Sequence, residues 1–270
     1  SNPAASGTVS SSTLLLDGVT TVVGYDLANA AYDNVSFSVA SQGSTPDGLP
    51  FNNDGTKMYV LSSANDTVFQ YSLSTAYDLS TASYDSVSFS VASQDTSPVE
   101  ISFSTTGAKM YILGDASNSV YQYSLSTAFD LSTVSYDSVS FSVNSQATTP
   151  LGLAFNNDGT KMYVAGYSSN SVYQYSLSTA FDISTASYDS VTLNISGQVS
   201  IPRGLVFNAD GTKMYILDGT NVNVYQFSLS TGFDLSTASY DSVSFSVESQ
   251  DSGPRGIVLN NDGTKMYIAG

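Results

Sequence analysis

A single unit of 52 residues recurs along this chain, and it constrains the fold more than any other feature. The segment FNNDGTKMY at 51–59 returns unchanged at 155–163 and with one substitution at 207–215, and variants of it begin at Phe103 and Leu259. A second segment, YSLSTAYDL at 71–79, returns in the same register at Tyr123, Tyr175 and Phe227. Self-similarity at this period indicates a repeat architecture in which each copy is one supersecondary unit.

Each unit contains four stretches with the pattern of β-strands, and none shows helical periodicity. In the first complete unit we predict strands at 47–52, 57–62, 67–74 and 87–93, called A to D in chain order. Strand D alternates apolar and small polar residues, which is typical of an outermost strand with one solvated face. Strands B and C are apolar on both faces, as strands packed between neighbouring sheets require. Asp54-Gly55 supplies the tight turn between A and B.

These units predict an all-β fold: a five-bladed β-propeller with four antiparallel strands per blade. Five units of 52 residues account for 11–270, which leaves 1–10 as an N-terminal extension to a single domain. The C-terminal end supplies strands A and B of the last blade, at 255–260 and 265–269. The N-terminal end supplies its strand C, near 19–24, and its strand D, at 35–41. Closure by the two chain ends removes the open sheet edges that an unclosed array of repeats, the alternative, would expose.

The phrase FNNDGTKMYV resembles the Phe-Ser-Pro-Asp-Gly-x-x-Leu-Tyr-Val unit of the YVTN-like and WD40-like propeller repeats. The resemblance covers roughly ten residues of each unit and implies a fold rather than an activity. Enzymes of this kind use histidines, carboxylates, a metal or a quinone at the channel, and this chain has no histidine. We therefore transfer no catalytic residue from the family. Similar propellers also occur in bacterial surface proteins and phage fibres.

Composition excludes several kinds of chemistry and partner. The chain has neither cysteine nor histidine, so it can form no disulfide, thiolate metal site or histidine-based catalytic centre. Its net charge of -16 opposes binding to nucleic acid or to an anionic membrane surface. No apolar run is long enough to span a bilayer, so we expect no membrane insertion. High Ser, Thr, Asn and Asp content predicts an extracellular, cell-surface or virion location.

Comparison of the units with one another divides the surface into two faces. The A-to-B and C-to-D connections are nearly constant and carry a lysine ring and two aspartate rings. Clustered carboxylates and hydroxyls are calcium ligands, but their spacing matches no known calcium loop. We favour turn capping and pairing with the lysines instead, and predict neither a metal nor a cofactor. The aspartate rings are Asp26, Asp78, Asp130, Asp182 and Asp234, and Asp33, Asp85, Asp137, Asp189 and Asp241; the lysines are Lys57, Lys109, Lys161, Lys213 and Lys265.

The D-to-A and B-to-C connections vary between units, and variable loops on a rigid scaffold commonly bind ligands. The residue directly after the repeated proline should open onto the channel mouth. At the next position, Glu100 replaces the glycine that the other units have. Two arginines, carboxylates and a tyrosine at one mouth suit a sugar or an acidic group. The predicted ligand-binding residues are Asp47, Glu100, Leu151, Arg203, Arg255, Tyr167, Asp66, Asp115 and Asp218, with Val99 completing the ring after proline.

Three functions are compatible with these features. The leading hypothesis is a non-enzymatic extracellular recognition or adhesion module that binds a glycan or protein through the variable loops. The second is a structural subunit of a filament, surface layer or virion fibre, which would assemble into a larger structure. The third is a glycoside-active enzyme with Asp47 and Glu100 as its carboxylate pair.

Overall fold

A computed structural model describes residues 15–17, as backbone only, and residues 24–270. Predicted features at 1–10, and the part of the predicted strand at 19–24 that precedes Gly24, lie outside these residues. Within the described ranges the chain forms nineteen strands and five short 3-10 helices. The strands are β1 (Leu15–Asp17), β2 (Val35–Ser36), β3 (Lys57–Ser62), β4 (Thr67–Leu73), β5 (Ala82–Ser90), β6 (Pro98–Phe103), β7 (Lys109–Gly114), β8 (Ser119–Leu125), β9 (Val134–Ser142), β10 (Pro150–Phe155), β11 (Lys161–Gly166), β12 (Ser171–Leu177), β13 (Ala186–Asn194), β14 (Pro202–Phe207), β15 (Lys213–Asp218), β16 (Asn223–Leu229), β17 (Ala238–Ser246), β18 (Gly256–Leu259) and β19 (Met266–Ala269). The helices are η1 (Leu27–Asn29), η2 (Leu79–Thr81), η3 (Leu131–Thr133), η4 (Ile183–Thr185) and η5 (Leu235–Thr237).

The strands form antiparallel sheets that follow the repeat. Sheet I contains β3 to β5, sheet II β6 to β9, sheet III β10 to β13 and sheet IV β14 to β17. Sheet V joins the two chain ends in the order β18-β19-β1-β2, with Leu16 opposite Ile268. The all-β propeller fold is confirmed. The third strand of sheet V is found at Leu15–Asp17, upstream of the predicted 19–24, at the repeat position where β16 begins.

Sheet I differs from the prediction of four strands in every blade. Four sheets are complete, but sheet I has three strands, and its inner segment pairs only through isolated bridges, Pro46 with Ser62 and Phe51 with Met58. The predicted strand at 47–52 is therefore wrong as a regular strand. Pro50 stands where the other units have Ser, Ala or Val, and it has no N–H to donate to the ladder. Its carbonyl still accepts from Tyr59 N at 2.9 Å, so the segment remains beside β3.

The outermost strand begins earlier than predicted. The alternating pattern predicts 87–93, whereas β5 spans Ala82–Ser90. A bulge causes the difference: Gln70 pairs with Val87, but the next residue, Tyr71, pairs with Tyr84. The extra residues include Ser86 at φ 60°, and they interrupt the period of two that marks a strand. The predicted strand B at 57–62 coincides with β3.

The hydrophobic core lies between neighbouring sheets rather than at the centre of the molecule. One apolar cluster fills each of the interfaces I/II, II/III, III/IV, IV/V and V/I, so the sheets close into a ring. The repeated tyrosine of the second strand is buried in each interface, as predicted. The hydroxyl of Tyr111 donates to the carbonyl of Phe181 at 2.5 Å. Tyr267 does the same to Tyr77 at 2.8 Å, which ties sheet V to sheet I.

Candidate functional site

The constant face is built from hydrogen bonds that hold the sheets to one another. Asp137 lies on the bulge of β9, and its carboxylate accepts from Lys109 Nζ at 2.6 Å and from Gln122 Nε2 at 2.9 Å. The hydroxyl of Ser124 contacts both Lys109 Nζ and the same carboxylate. The other end of Gln122 accepts from the buried backbone N–H of Ile183, at 3.0 Å, in the next sheet. The same arrangement recurs at Asp189 and Asp241.

The aspartate ring that contains Asp78 caps the 3-10 helices. Asp78 accepts from Ser80 N at 3.0 Å and from the Ser80 hydroxyl at 2.6 Å, and Asp130, Asp182 and Asp234 do the same at their own helices. Asp26 accepts from Ala28 N and from the Asn29 amide instead. Both rings thus have the capping and pairing roles that the spacing favoured. No group of three or more acidic side chains placed to hold a metal occurs among residues 24–270.

Asp218, one of the predicted ligand-binding residues, supports its own loop instead. Asp218 is fully buried, and its carboxylate accepts from the N–H groups of Ser200, Ile201 and Thr220 and from the Asn221 amide. These donors leave Asp218 no exposed surface for a ligand. Asp66 occupies a turn position at φ 50°, and burial, with the nearby charge of Asp95, raises its pKa.

The residues after the repeated proline do not all face the mouth. Val99 and Leu151 are buried and pack in the cluster between sheets II and III. Arg203 and Arg255, in contrast, are half-buried at the variable face. The prediction that five residues face the mouth is therefore incorrect for Leu151 and Val99. Burying an apolar side chain in the interface between sheets lowers the free energy of the folded state relative to exposing it to water.

Asp47 and Arg255 form an ion pair between sheets I and V. Arg255 donates to Asp47 Oδ1 at 3.0 Å, and the backbone N–H of Ser63 donates to Oδ2 at 3.2 Å. The carboxylate is 3% exposed, whereas the arginine side chain is 35% exposed. Burial raises the pKa of Asp47, and the Ser63 and Arg255 contacts counteract part of that rise.

Arg203 lies beside this pair, with its stem across Gly219. A Cβ atom on Gly219 would come within 2.8 Å of Arg203 Cγ, so a larger residue would displace the arginine. Burial and the neighbouring charge of Arg255 lower the pKa of Arg203, while Asp47 and Asp115 oppose that change. Within residues 24–270, no carboxylate comes within ion-pair distance of Arg203. Tyr167, also near Arg203, is 42% exposed and presents its ring to solvent.

Glu100 is a buried carboxyl group on the wall of the central channel. It is 6% exposed, its Oε1 accepts from the N–H of Ile101 at 3.0 Å, and no hydrogen bond reaches its Oε2 from the described part of the chain. Oε1 also lies against Gly48 of sheet I, where an added Cβ would come within 2.7 Å of it. Burial raises the pKa of Glu100 well above its usual range; the Ile101 hydrogen bond opposes the rise and the charge of Asp47 adds to it.

A cavity of about 390 Å³ extends along the channel from Glu100 toward the constant face; we call it the channel cavity. Its wall is mainly apolar and comes from the inner strands of sheets II to V and from Leu49 and Pro50. Ser102 is a polar group of the wall beyond Glu100. At the far end lie Asn157, Asn208, Asn260, Asn261 and Tyr25.

Hydrogen bonds join residues of the turns at the rim of that far end. Asn53 Nδ2 donates to the Thr105 carbonyl at 2.6 Å, and the side chain of Asn157 donates to Ala209 in the same way. The Tyr25 hydroxyl donates to the Asn261 carbonyl at 2.5 Å. The first two bonds join the turns of sheets I and II and of sheets III and IV, and the third lies within sheet V.

Sequence comparison of the units identifies Glu100 but misses the rest of this lining. The channel-facing position of the inner segment reads Pro50, Ser102, Ala154, Val206 and Val258 around the ring. This variation lies inside a strand, whereas the predicted binding residues were drawn from variable loops. It is the signal by which the cavity wall, and Ser102 in particular, could have been found.

Comparisons with known proteins agree with the fold. No protein-family model and no curated protein matches the chain. A "putative 6-phosphogluconolactonase" from Bacteroides uniformis ATCC 8492 is 16% identical with a TM-score of 0.53, covering 96% of this chain and 76% of that one. A protein of the same name from Bacteroides fragilis NCTC 9343 is 14% identical with a TM-score of 0.53, covering 98% and 76%. A chain of a nidogen/laminin complex is 12% identical with a TM-score of 0.53, covering 95% and 85%.

At these identities the likeness establishes the β-propeller fold and no more, and membership of the YVTN-like or WD40-like repeats is not shown. The neighbours named for an activity are lactonases. They contradict the leading hypothesis of a non-enzymatic recognition or adhesion module and favour its enzyme alternative. No helix among the described residues is long and apolar enough to cross a membrane.

Proposed function

We propose that this protein hydrolyses a small sugar lactone in the channel cavity, with Glu100 as the general base. One observation carries the proposal: a buried carboxyl group with a raised pKa, whose Oε2 accepts no hydrogen bond from the described residues, lies on the wall of the channel cavity. Perturbed carboxyl groups in such cavities are the usual candidates for acid and base catalysis. Two neighbours in fold are named as 6-phosphogluconolactonases, which supports a lactone as the substrate class.

The cavity suits a single sugar-sized ring. Its volume of about 390 Å³ is at the small end of the range for ligand pockets, roughly 300–1,000 Å³. The apolar wall would pack against the faces of the ring, while the Ser102 hydroxyl and the Asn208 amide would bind its hydroxyl groups. Because hydrogen bonds between neighbouring turns hold the far rim, the cavity is preformed and little ordering is required on binding.

The proposed reaction needs only water and the lactone. The ionised carboxylate of Glu100 accepts a proton from a water molecule as the water oxygen bonds to the lactone carbonyl carbon. The bond between that carbon and the ring oxygen then breaks, and Glu100 returns the proton to the departing ring oxygen. The product is the open-chain hydroxy acid, which releases its own carboxyl proton to solvent.

The raised pKa gives the reaction a characteristic pH dependence. Glu100 acts as a base only when it is ionised, so the rate should rise with pH through the elevated pKa of Glu100 and then level off. Asp47 contributes to the elevation, because its negative charge disfavours a second negative charge nearby. Asp47→Asn should therefore move the acid limb of the rate profile toward lower pH.

The test is a pH-stat assay with gluconolactone and 6-phosphogluconolactone, corrected for spontaneous hydrolysis. We expect the protein to accelerate one or both, and Glu100→Gln to lower the rate by about 100-fold while the protein stays folded. Glu248→Gln is the matched control, because Glu248 is the other glutamate of the chain and lies exposed at the outer edge. Equal rates for Glu100→Gln and the parent, or no acceleration by the parent, would contradict the proposal.

Glycoside hydrolysis is the second candidate, because Asp47 and Glu100 are neighbouring carboxyl groups. A glycosidase places two such groups on either side of the scissile bond. Both oxygens of Asp47 are engaged, by Arg255 and Ser63, and Asp47 does not line the channel cavity. This geometry favours the lactone, which needs one base. Release of nitrophenol from a panel of nitrophenyl glycosides, abolished by both Asp47→Asn and Glu100→Gln, would reverse that preference.

We also propose that residues 11–270 form one five-bladed propeller, with sheet I as an incomplete blade. Five sheets and an apolar cluster in each interface between them support this proposal. A crystal structure in which the segment at 47–52 lies beside β3 as the inner strand of a fifth blade would support the proposal, and one in which this segment stands apart from β3 would contradict it.

A further inference from the structure

We propose that Arg203, Arg255 and Tyr167 form a second binding site on the variable face, for a small molecule that carries a carboxylate or a phosphate group. We call it the variable mouth. It is separate from the channel cavity, whose lining includes none of these three residues. The inference goes beyond the proposed hydrolysis and does not depend on it.

Charge is the first argument for this site. The chain has a net charge of -16, and the only two arginines occupy the same repeat position in sheets IV and V, which are neighbours. Asp47 pairs with Arg255 at 3.0 Å, and the charges of Asp47 and Asp115 also act on Arg203, but no carboxylate among residues 24–270 lies within 4 Å of Arg203. The guanidinium of Arg203 therefore keeps donors that no carboxylate of these residues binds, and an added anion would contact them directly.

Two positions of the repeat meet at the variable mouth, and the residue at each position differs between units. The first follows the repeated proline and holds Arg203 and Arg255. The second reads Ser63, Asp115, Tyr167 and Gly219 in sheets I to IV. The Ser63 N–H donates to Asp47 at 3.2 Å, which shows that the two positions are in contact within one sheet. In sheet IV the second position is glycine, and only glycine leaves room for the stem of Arg203.

The shape of these groups indicates the ligand class. A guanidinium group presents paired N–H donors that match the oxygens of a carboxylate or phosphate, and such pairs are stronger than neutral hydrogen bonds. Tyr167, 42% exposed on the sheet next to that of Arg203, offers an aromatic face for a sugar or other ring attached to the anion. Asp115 also lies near Arg203; burial and the charge of Asp95 raise the pKa of Asp115, and the charge of Arg203 opposes that rise.

Calorimetric titration at low ionic strength with three matched probes tests the site. Glucuronate carries a carboxylate, glucose 6-phosphate carries a phosphate, and glucose is the neutral reference. We expect saturable binding of at least one anionic probe and none of glucose. Arg203→Gln should weaken binding at least tenfold. Arg203→Lys retains the charge but loses the paired N–H donors of the guanidinium, and should bind at intermediate strength. The probe that binds identifies whether the carboxylate or the phosphate is the natural anchor.

Two further variants distinguish binding at the variable mouth from general attraction to positive charge and from binding in the channel cavity. Lys57→Gln removes the same charge from the constant face, where Lys57 is 3.6 Å from Asp85, and should leave binding unchanged. Glu100→Gln should also bind as the parent does, whatever its hydrolytic activity. Binding that survives Arg203→Gln, or is lost equally in Lys57→Gln or in Glu100→Gln, would overturn the proposal, as would the absence of binding by both anionic probes.

Discussion

The constant face and the channel both contain buried carboxyl groups, but their surroundings shift the pKa of these groups in opposite directions. Asp137 is 15% exposed and is bound by a lysine, a serine and a glutamine. Glu100 is more deeply buried, at 6% exposed, yet it has one backbone donor and faces another acid, Asp47. The first arrangement favours the charged form of the acid and the second disfavours it. The constant-face acids stabilise the ring of sheets, whereas the proposed role of Glu100 as a base depends on its raised pKa.

This difference has opposite consequences for stability as pH changes. Burial alone would raise the pKa of Asp137, but the Lys109, Ser124 and Gln122 contacts outweigh it, and the pKa lies below its usual value. A lowered pKa contributes stability above the unfolded-state value, and that stability is lost as pH falls through the folded-state pKa. The raised pKa of Glu100 acts in reverse: its contribution is present at low pH and is lost as pH rises through the elevated value.

The largest expected effect comes from breaking the constant-face network at Gln122. Gln122→Ala leaves the buried N–H of Ile183 and one side of Asp137 without a partner, and should lower the free energy of unfolding by about 3 kcal/mol. Urea unfolding followed by tyrosine fluorescence measures this loss. Ser140→Ala, on the exposed face of β9, is the control and should change stability little. A loss below that of the control would show that the sheets do not depend on this bond.

A smaller effect, and one that depends on pH, is expected at Asp137 itself. Asp137→Asn keeps the size of the side chain but removes the charge that faces Lys109, and should cost about 2 kcal/mol near neutral pH. The difference between parent and variant should shrink as pH falls below the usual range for aspartate, about pH 4, because the parent then loses the same charge. A difference that stays constant over that range would assign the effect to packing.

The smallest effect has the opposite sign. Glu100→Gln removes a buried charge that has little compensation, so it should raise the free energy of unfolding by about 1 kcal/mol above neutral pH. This gain should decline as pH falls, since Glu100 in the parent becomes neutral as well. Urea unfolding of parent and variant at several pH values measures the trend, with Glu248→Gln as the exposed counterpart. A loss of stability on Glu100→Gln at high pH would mean that Glu100 has a structural role.

Much of the fold could be predicted because the repeat supplies five aligned copies of the same information. The strand at 57–62 coincides with β3, and the pairing of the two chain ends in one sheet follows from the register. The errors arise where a single residue or a bulge overrides the pattern. Pro50 interrupts the inner strand of sheet I, and the bulge at Gln70 moves the start of β5 to Ala82. Neither effect is visible in hydrophobic periodicity, because both depend on which N–H groups find partners.

The candidate site could be predicted less completely, for a related reason. Differences between units draw attention to Glu100, Arg203 and Arg255, because each differs from the residues at the equivalent position of other units. Leu151 and Asp218 also differ from their equivalents, yet Leu151 packs in the core and Asp218 supports its own loop. A difference between units shows that a position is free to vary, but not which way its side chain points.

The amino-acid sequence by itself determined that the chain closes into a ring of β-sheets with one constant and one variable face, because local pattern and repeat register are properties of order along the chain. Only the tertiary structure decided that Arg255 has a carboxylate partner and that Arg203 has none within 4 Å among residues 24–270. It also decided that Glu100 is buried against sheet I. The Arg255–Asp47 bond joins residues 208 positions apart, across the seam where the ring closes. Burial and charge at such contacts depend on which sheets become neighbours, and those are the quantities that set the pKa of Glu100 and leave Arg203 available.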